Sequence, residues 1–156
     1  AIYYLKKKGF KKISFFGRSL GAHCGIHLAA LFPDLVCIAL DSPFVSIKNH
    51  VVHKVSSFNK IDKEKVEELY PDACKIINEM YGIDFLNIKE AIDVADKINQ
   101  PIFVIHGNRD ILVPIENSIE LMEKKHWEKF RIVRRRTQWC AEIEILLGPI
   151  RFYFET

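Results

Sequence analysis

The sequence predicts an α/β domain built on a parallel sheet, and three observations carry that prediction. Short apolar runs alternate with segments of helical period, and a Gly-x-Ser-x-Gly pentapeptide sits at the first strand-to-helix junction. A polar stretch of helical period then separates the second apolar run from the third. The chain has 156 residues, 49% hydrophobic and 28% charged, enough for one domain that buries about 70% of its unfolded surface.

Ala1 to Lys8 reads as a helix without an entry cap, ended by Gly9 as the residue past its C-terminus; a chain that opens inside a helix implies further sequence upstream. Ile13–Phe16 is a short apolar run, as expected of a strand covered on both faces. From Leu20 the period becomes helical, with Leu20, Cys24, Leu28 and Leu31 forming one stripe. Gly21, Ala22 and Gly25 keep the opposite side thin enough to press on the sheet, and Pro33 ends the helix. Leu35–Leu40 is a second buried strand. Lys48 to Ile98 is polar and mixed in charge, with helical period around Lys63–Tyr70, Ala73–Tyr81 and Ile88–Ile98, and is expected to form a helical cap that adds no strand. Pro101–Ile105 is a third strand. Pro114 fits the first position of a helix whose inward stripe is Ile115, Ile119 and Met122, and Phe130–Val133 is a fourth strand. The expected organisation is therefore an elbow half (1–47), a helical cap (48–98), an acid strand and helix (99–133) and a divergent tail (134–156).

Gly17-Arg18-Ser19-Leu20-Gly21 draws its weight from this setting, since a strand ends just before it and a helix begins at once. A sharp strand-to-helix turn exposes the serine hydroxyl while glycines two residues away on either side avoid collisions. The helix N-terminus brings amide donors to the same place, the Leu20 N–H first among them. The plain alternative is a tight turn whose serine merely caps the helix. A phosphate-binding loop does not fit, because no Gly-Lys-Ser/Thr occurs and Gly17, Gly21 and Gly25 are not spaced as GxGxxG.

A serine nucleophile needs a base, and the base needs an orienting carboxylate. Asp110 follows the third strand in Ile105-His106-Gly107-Asn108-Arg109-Asp110-Ile111-Leu112-Val113-Pro114. Together with Phe16–Ala22 and Leu40-Asp41-Ser42-Pro43-Phe44, this segment resembles the α/β-hydrolase superfamily over about Ala1 to Val133. Within it the resemblance is greatest to the serine aminopeptidase-like branch, which also inserts helices between its sixth and seventh strands. The resemblance implies Ser19 as nucleophile, Asp110 as acid and the Leu20 N–H as an oxyanion donor. His106 matches a structural position beside the acid. Asp41 is a second candidate acid, with a turn-capping role before Pro43 as its plainer reading, and Arg18 is expected to pair locally.

The resemblance also implies a second oxyanion donor from a loop upstream of Ala1 and a catalytic histidine just after Val133. The residues there are Arg134-Arg135-Arg136-Thr137-Gln138-Trp139-Cys140, and no histidine follows them. His23, His27, His50, His53, His106 and His126 all lie elsewhere and read as core, surface or helix-end residues. His23 and His27 have the i, i+4 spacing of a metal pair without a third ligand in view. Written as AGA AGG AGG ACA CAA TGG TGC, the tail word shifted by one nucleotide reads Glu-Gly-Gly-His-Asn-Gly, which looks like the histidine loop of that family. A local frameshift is therefore the expectation, the alternative being a genuine basic tail that forms a solvated surface.

The resulting expectation is a serine hydrolase acting on an ester, thioester or amide through an acyl-enzyme on Ser19, or alternatively a non-catalytic domain of the same fold that binds a ligand. It implies a small-molecule acyl substrate and no metal or organic cofactor. The formal charge of +3 leans on the arginine tract, so it makes no case for nucleic acid. The longest apolar region, Ile13 to Val45, is interrupted by Arg18, Pro33-Asp34 and Asp41 and does not read as a membrane span. No secretory leader is visible, and Cys24, Cys37, Cys74 and Cys140 lack paired spacing, so a reduced, cytoplasmic setting is expected.

Overall fold

A computed structural model describes residues 1–125 and the strand Phe130–Val133. Helix α1 (Ile2–Lys7) stops at Gly9, whose φ of 91° suits a residue without Cβ. Strand β1 (Phe15–Arg18) leads into α2 (Leu20–Leu31), and β2 (Ile38–Asp41) follows. Helices α3 (Ile47–Asn59), α4 (Lys63–Tyr81) and α5 (Ala91–Val94) precede β3 (Ile102–Gly107), α6 (Glu116–Lys125) and β4 (Phe130–Val133). The four strands are all parallel and lie in the order β1-β2-β3-β4. All the strands therefore end at one edge of the sheet, where loops from successive strands converge.

Alternation along the strands decides the core. Ile38, Leu40, Ile102 and Val104 are buried beneath Ala22, Ile26 and Ala29 of α2 and Leu121 of α6. As the small residues of α2 imply, the side carrying Ala22 and Gly25 faces the sheet, while Leu20, Cys24 and Leu31 are exposed and Leu28 is half-buried. The small residues press on the sheet: a Cβ on Gly25 would lie 2.5 Å from Phe15 Cε1 and 3.0 Å from Leu40 Cδ2. A helix apolar on every side gives no periodic signal for its buried face, so the small residues are what mark it.

Several elements depart from the sequence expectations. The first strand begins two residues later and runs through Gly17-Arg18, although the Ile13 carbonyl still accepts from Val36 N at 2.9 Å. Helix α4 continues through Pro71 as one helix, since Val66, Tyr70 and Cys74 hold one buried face against Val52 of α3 and Pro71 is exposed. The helix expected over Ile88–Ile98 is limited to α5 and a single 3₁₀ turn, Ala95–Lys97. In α6, Pro114 stays outside the helix and Ser118 and Leu121 are buried, while Ile119 is exposed.

The insertion is helical among its described elements, with no strand between β2 and β3. Its two ends are tied together by Glu90. That carboxylate accepts from Ser46 Oγ at 2.9 Å and from Ile47 N at 2.7 Å, so one side chain closes the N-terminus of α3 and also caps α5. Among the described residues no helix is long and apolar enough to cross a membrane.

Candidate active site

Ser19 occupies the junction of β1 and α2 with φ 51° and ψ −119°, a conformation that costs a residue with a Cβ roughly 1–3 kcal/mol. Its amide donates to the Asp41 carbonyl at 2.8 Å and its carbonyl accepts from His23 N at 3.0 Å, so sheet and helix hold the strained residue from both sides. The Ser19 hydroxyl makes no cap hydrogen bond to the helix. Its position at the N-terminus of α2 places it where that helix's free amides, Leu20 N–H among them, favour negative charge.

Gly17 is required by close approach, since an added Cβ would collide with the Gly21 carbonyl oxygen and lie 2.6 Å from Phe15 Cε1. Gly21 differs from the sequence expectation, because a Cβ there would meet nothing within 4 Å among the described residues. Only one glycine of the pair is demanded by the structure described.

Asp110 follows β3 and is buried. Its Oδ1 accepts from Leu112 N at 2.9 Å and Val113 N at 3.1 Å, fixing the side chain against its own loop. Its Oδ2 is buried and has no hydrogen-bond partner among the described residues. Because β2 lies between β1 and β3, Ser19 and Asp110 leave the same sheet edge two strands apart, roughly 10 Å between strand axes.

His106 lies 4.0 Å from Asp110 Oδ2 but is committed elsewhere. Its Nε2 is 2.9 Å from the Val113 carbonyl, an acceptor, so Nε2 carries the proton. Nδ1 then accepts from Ser118 Oγ at 2.6 Å. Burial holds the imidazole below its ordinary pKa, opposed by the Val113 hydrogen bond and the Asp110 charge. This neutral histidine ties the acid loop to α6.

Asp41 is buried next to Arg18, its cross-strand neighbour, with Nε 3.4 Å from Oδ2. Ser42 Oγ donates to Asp41 Oδ1 at 3.1 Å, and Ser42 itself has a φ of 50°. Burial raises the Asp41 pKa, with the Ser42 hydrogen bond and the Arg18 charge opposing. Both of its carboxylate oxygens are engaged, in contrast to Asp110.

An aromatic stack that the sequence did not announce links elbow helix and cap. The His23 ring stacks on Phe44 at 4.7 Å, and Phe44 stacks on His50 of α3 at 4.2 Å. His23 Nδ1 donates to the Phe44 carbonyl at 2.9 Å. Burial lowers the pKa of His23, His27 and His50 alike. The His23 and His27 rings are 5.0 Å apart, and no third metal-ligand side chain joins them among the described residues. His53 Nε2 lies 3.4 Å from the Ile111 carbonyl, bringing the cap against the acid loop. His126, Cys140 and the tract Arg134–Arg136, together with the expected histidine loop, lie outside the described residues.

No family model and no curated protein sequence matches the chain. Solved structures do. An esterase of Pyrococcus furiosus is 24% identical with a TM-score of 0.62, the match covering 94% of this chain and 53% of that one. A monoacylglycerol lipase of Paleococcus ferrophilus is 24% identical with a TM-score of 0.53, covering 85% and 61%. A lipase-esterase related protein of Clostridium acetobutylicum is 16% identical with a TM-score of 0.55, covering 83% and 60%. The chain thus spans between half and two thirds of the length of these structures. At this identity the likeness speaks for the fold, which agrees with the parallel sheet, the strained serine at the strand-to-helix junction and the helical insertion: this chain carries part of an α/β-hydrolase fold.

Proposed function

We propose that the chain is the nucleophile-bearing part of a serine hydrolase that cleaves an ester, thioester or amide bond. The observation that carries the reading is Ser19, held at φ 51° with a hydroxyl that caps nothing. Strain of this kind persists where the surroundings over-determine it, and it puts the hydroxyl at the rim of the sheet. Ser19 Oγ would bond to the substrate carbonyl carbon as its proton passes to an imidazole base. The Leu20 N–H would face the oxygen that gains charge. Collapse of this intermediate breaks the bond to the leaving oxygen, sulfur or nitrogen, which takes the proton. Water then repeats the sequence, releasing the acid and restoring the serine.

Asp110 is the orienting carboxylate in this reading. Its Oδ1 is used by its own loop, and its buried Oδ2 remains for an imidazole N–H. The base would come from residues beyond Val133, where the frameshifted word supplies a histidine. A chain without that imidazole loses up to about a millionfold in rate, roughly 8–9 kcal/mol of transition-state stabilisation. Asp110 Oδ2, without a hydrogen-bond partner among the described residues, also supports a second reading, a domain of this fold that binds a ligand without turning it over.

One experiment separates the two. Residues 134–139 are replaced by Glu-Gly-Gly-His-Asn-Gly, and hydrolysis of p-nitrophenyl butyrate is compared with the unaltered chain. The hydrolase reading predicts a gain of at least about a hundredfold that vanishes with Ser19→Ala. No gain in a replacement that folds, shown by an unchanged circular dichroism spectrum, supports the binding reading.

A further inference from the structure

The base of the cap meets the elbow helix through aromatic rings. Phe44, in the loop after β2, stacks on His23 of α2 and on His50 of α3, with centroids 4.7 and 4.2 Å apart and planes within 19° and 7° of parallel. His27 stands 5.0 Å from His23. Helix α3 packs chiefly on α4, around the separate core of Val52, Val66, Tyr70 and Cys74, so the stack joins that hairpin to the helices on the sheet. Open space adjoins it on both sides: a cavity of about 400 Å³ bordered by His23 and His27, and one of about 330 Å³ bordered by His50 and His53.

The stack suits neutral rings. His23 Nδ1 donates to the Phe44 carbonyl, which leaves Nε2 as a bare lone pair. His23 Nε2, His27 Nε2 and His50 Nδ1 are all buried with no hydrogen-bond partner among the described residues. A proton added to any of them would make a charged N–H group without an acceptor. Glu90 favours charge on His23 and His27, but its oxygens already accept from Ser46 Oγ and Ile47 N. Asp110 favours charge on His50, while Lys54, His53 and His23 oppose it. Lys63, Glu116 and Glu120 line the cavity beside His50. Burial outweighs these influences and holds all three imidazoles below their ordinary pKa.

We propose that the His23–Phe44–His50 stack, with His27, is a proton-operated latch: charging of its imidazoles parts the rings and releases the α3–α4 hairpin while the sheet stays folded. The latch is closed above the unfolded imidazole value of about 6.5 and opens as pH falls below it. Its working does not depend on Ser19 being a nucleophile.

Amide hydrogen exchange of the intact chain at pH 7 and pH 5.5, each rate taken relative to the unfolded chain at that pH, tests the latch. Residues 47–59 are expected to lose at least about tenfold in protection between the two, while 15–18 stay the better protected at both. His50→Phe keeps a ring in the stack without a proton to gain, and His27→Gln removes a second titrating group. Each should reduce the loss by at least about threefold. Both positions are half-buried, and either variant alone decides the point. Equal exchange in 47–59 and 15–18 at pH 5.5 means that acid opens the whole chain at once, and overturns the proposal. So does protection of 47–59 that does not change with pH, or a loss as large in the variants as in the unaltered chain.

Discussion

Between β1 and α2 the chain holds a serine at φ 51° and brings Gly17 so close to Gly21 that no side chain fits between them. The hairpin of α3 and α4 has one non-glycine residue at positive φ, Lys60 at 54°, but its ψ of 37° is that of an ordinary left-handed helix cap, unlike the −119° of Ser19. It is assembled from Val52, Val66, Tyr70 and Cys74 with Val55 and Phe85 packed around them, a satellite core separate from the one under the sheet. The contrast shows where the fold concentrates strain and where it relies mainly on packing. Strain at the elbow has to be balanced by the surrounding sheet, whereas a small satellite core opens at lower cost.

The largest effect expected is at the elbow. Gly17→Val forces a branched side chain into the Gly21 backbone and should cost at least about 3 kcal/mol, or prevent folding, as read from urea unfolding. Val52→Ala in the cap should cost on the order of 2 kcal/mol locally while leaving amide protection of 15–18 intact. Hydrogen exchange with fragment resolution measures both, and in the unaltered chain α3 and α4 should exchange faster than β1. Equal, slow exchange in the two regions would mean that the insertion is a fixed part of the core.

Acid should act on the contact between the regions. His23, His27, His50 and His106 all have pKa values lowered by burial, so the folded chain keeps them neutral where the unfolded chain takes up protons. Their stabilisation is complete above the unfolded value near 6.5 and is lost as pH falls below it. The buried pair His23 and His106 should each contribute a slope of up to about 1.4 kcal/mol per pH unit in that window. His27 and His50 add less, being half exposed and screened. A urea midpoint that does not fall between pH 7 and pH 5.5 contradicts this. Smaller still, Ser46→Ala removes the hydroxyl that accepts from Asn49 N and should destabilise α3 by about 1 kcal/mol. Gly21→Ala, with open space for its methyl group, should stabilise the chain by about 0.5–1 kcal/mol. A loss there would show that another segment packs against Gly21.

The same contrast explains what the sequence could reveal. Ser19 and Gly17 were legible because close approach and positive φ dictate residue type at fixed offsets. Asp110 could be placed because its carboxylate and the amides it binds lie within one loop. Helix α3 had no such local marker: its N-terminus is secured by Glu90, more than 40 residues away, and its cap Ser46 lacks an acidic residue three positions on. Apolar residues surround α2 and leave its period uninformative, so its buried face is legible from the small residues Ala22 and Gly25. Pro71 marks a helix break by local rules, and tertiary contacts of Val66, Tyr70 and Cys74 outweigh it. The His23–Phe44–His50 stack joins residues from two elements and had no pattern to announce it.

The central claim is that Ser19 is a nucleophile waiting for an imidazole. It is tested most directly by treating the chain with a fluorophosphonate in rising concentrations of free imidazole and locating the adduct by mass spectrometry. The account predicts slow labelling that imidazole accelerates, confined to Ser19 and absent in Ser19→Ala. An adduct on another residue, or a Ser19 that stays unlabelled at saturating imidazole in a folded chain, would contradict it.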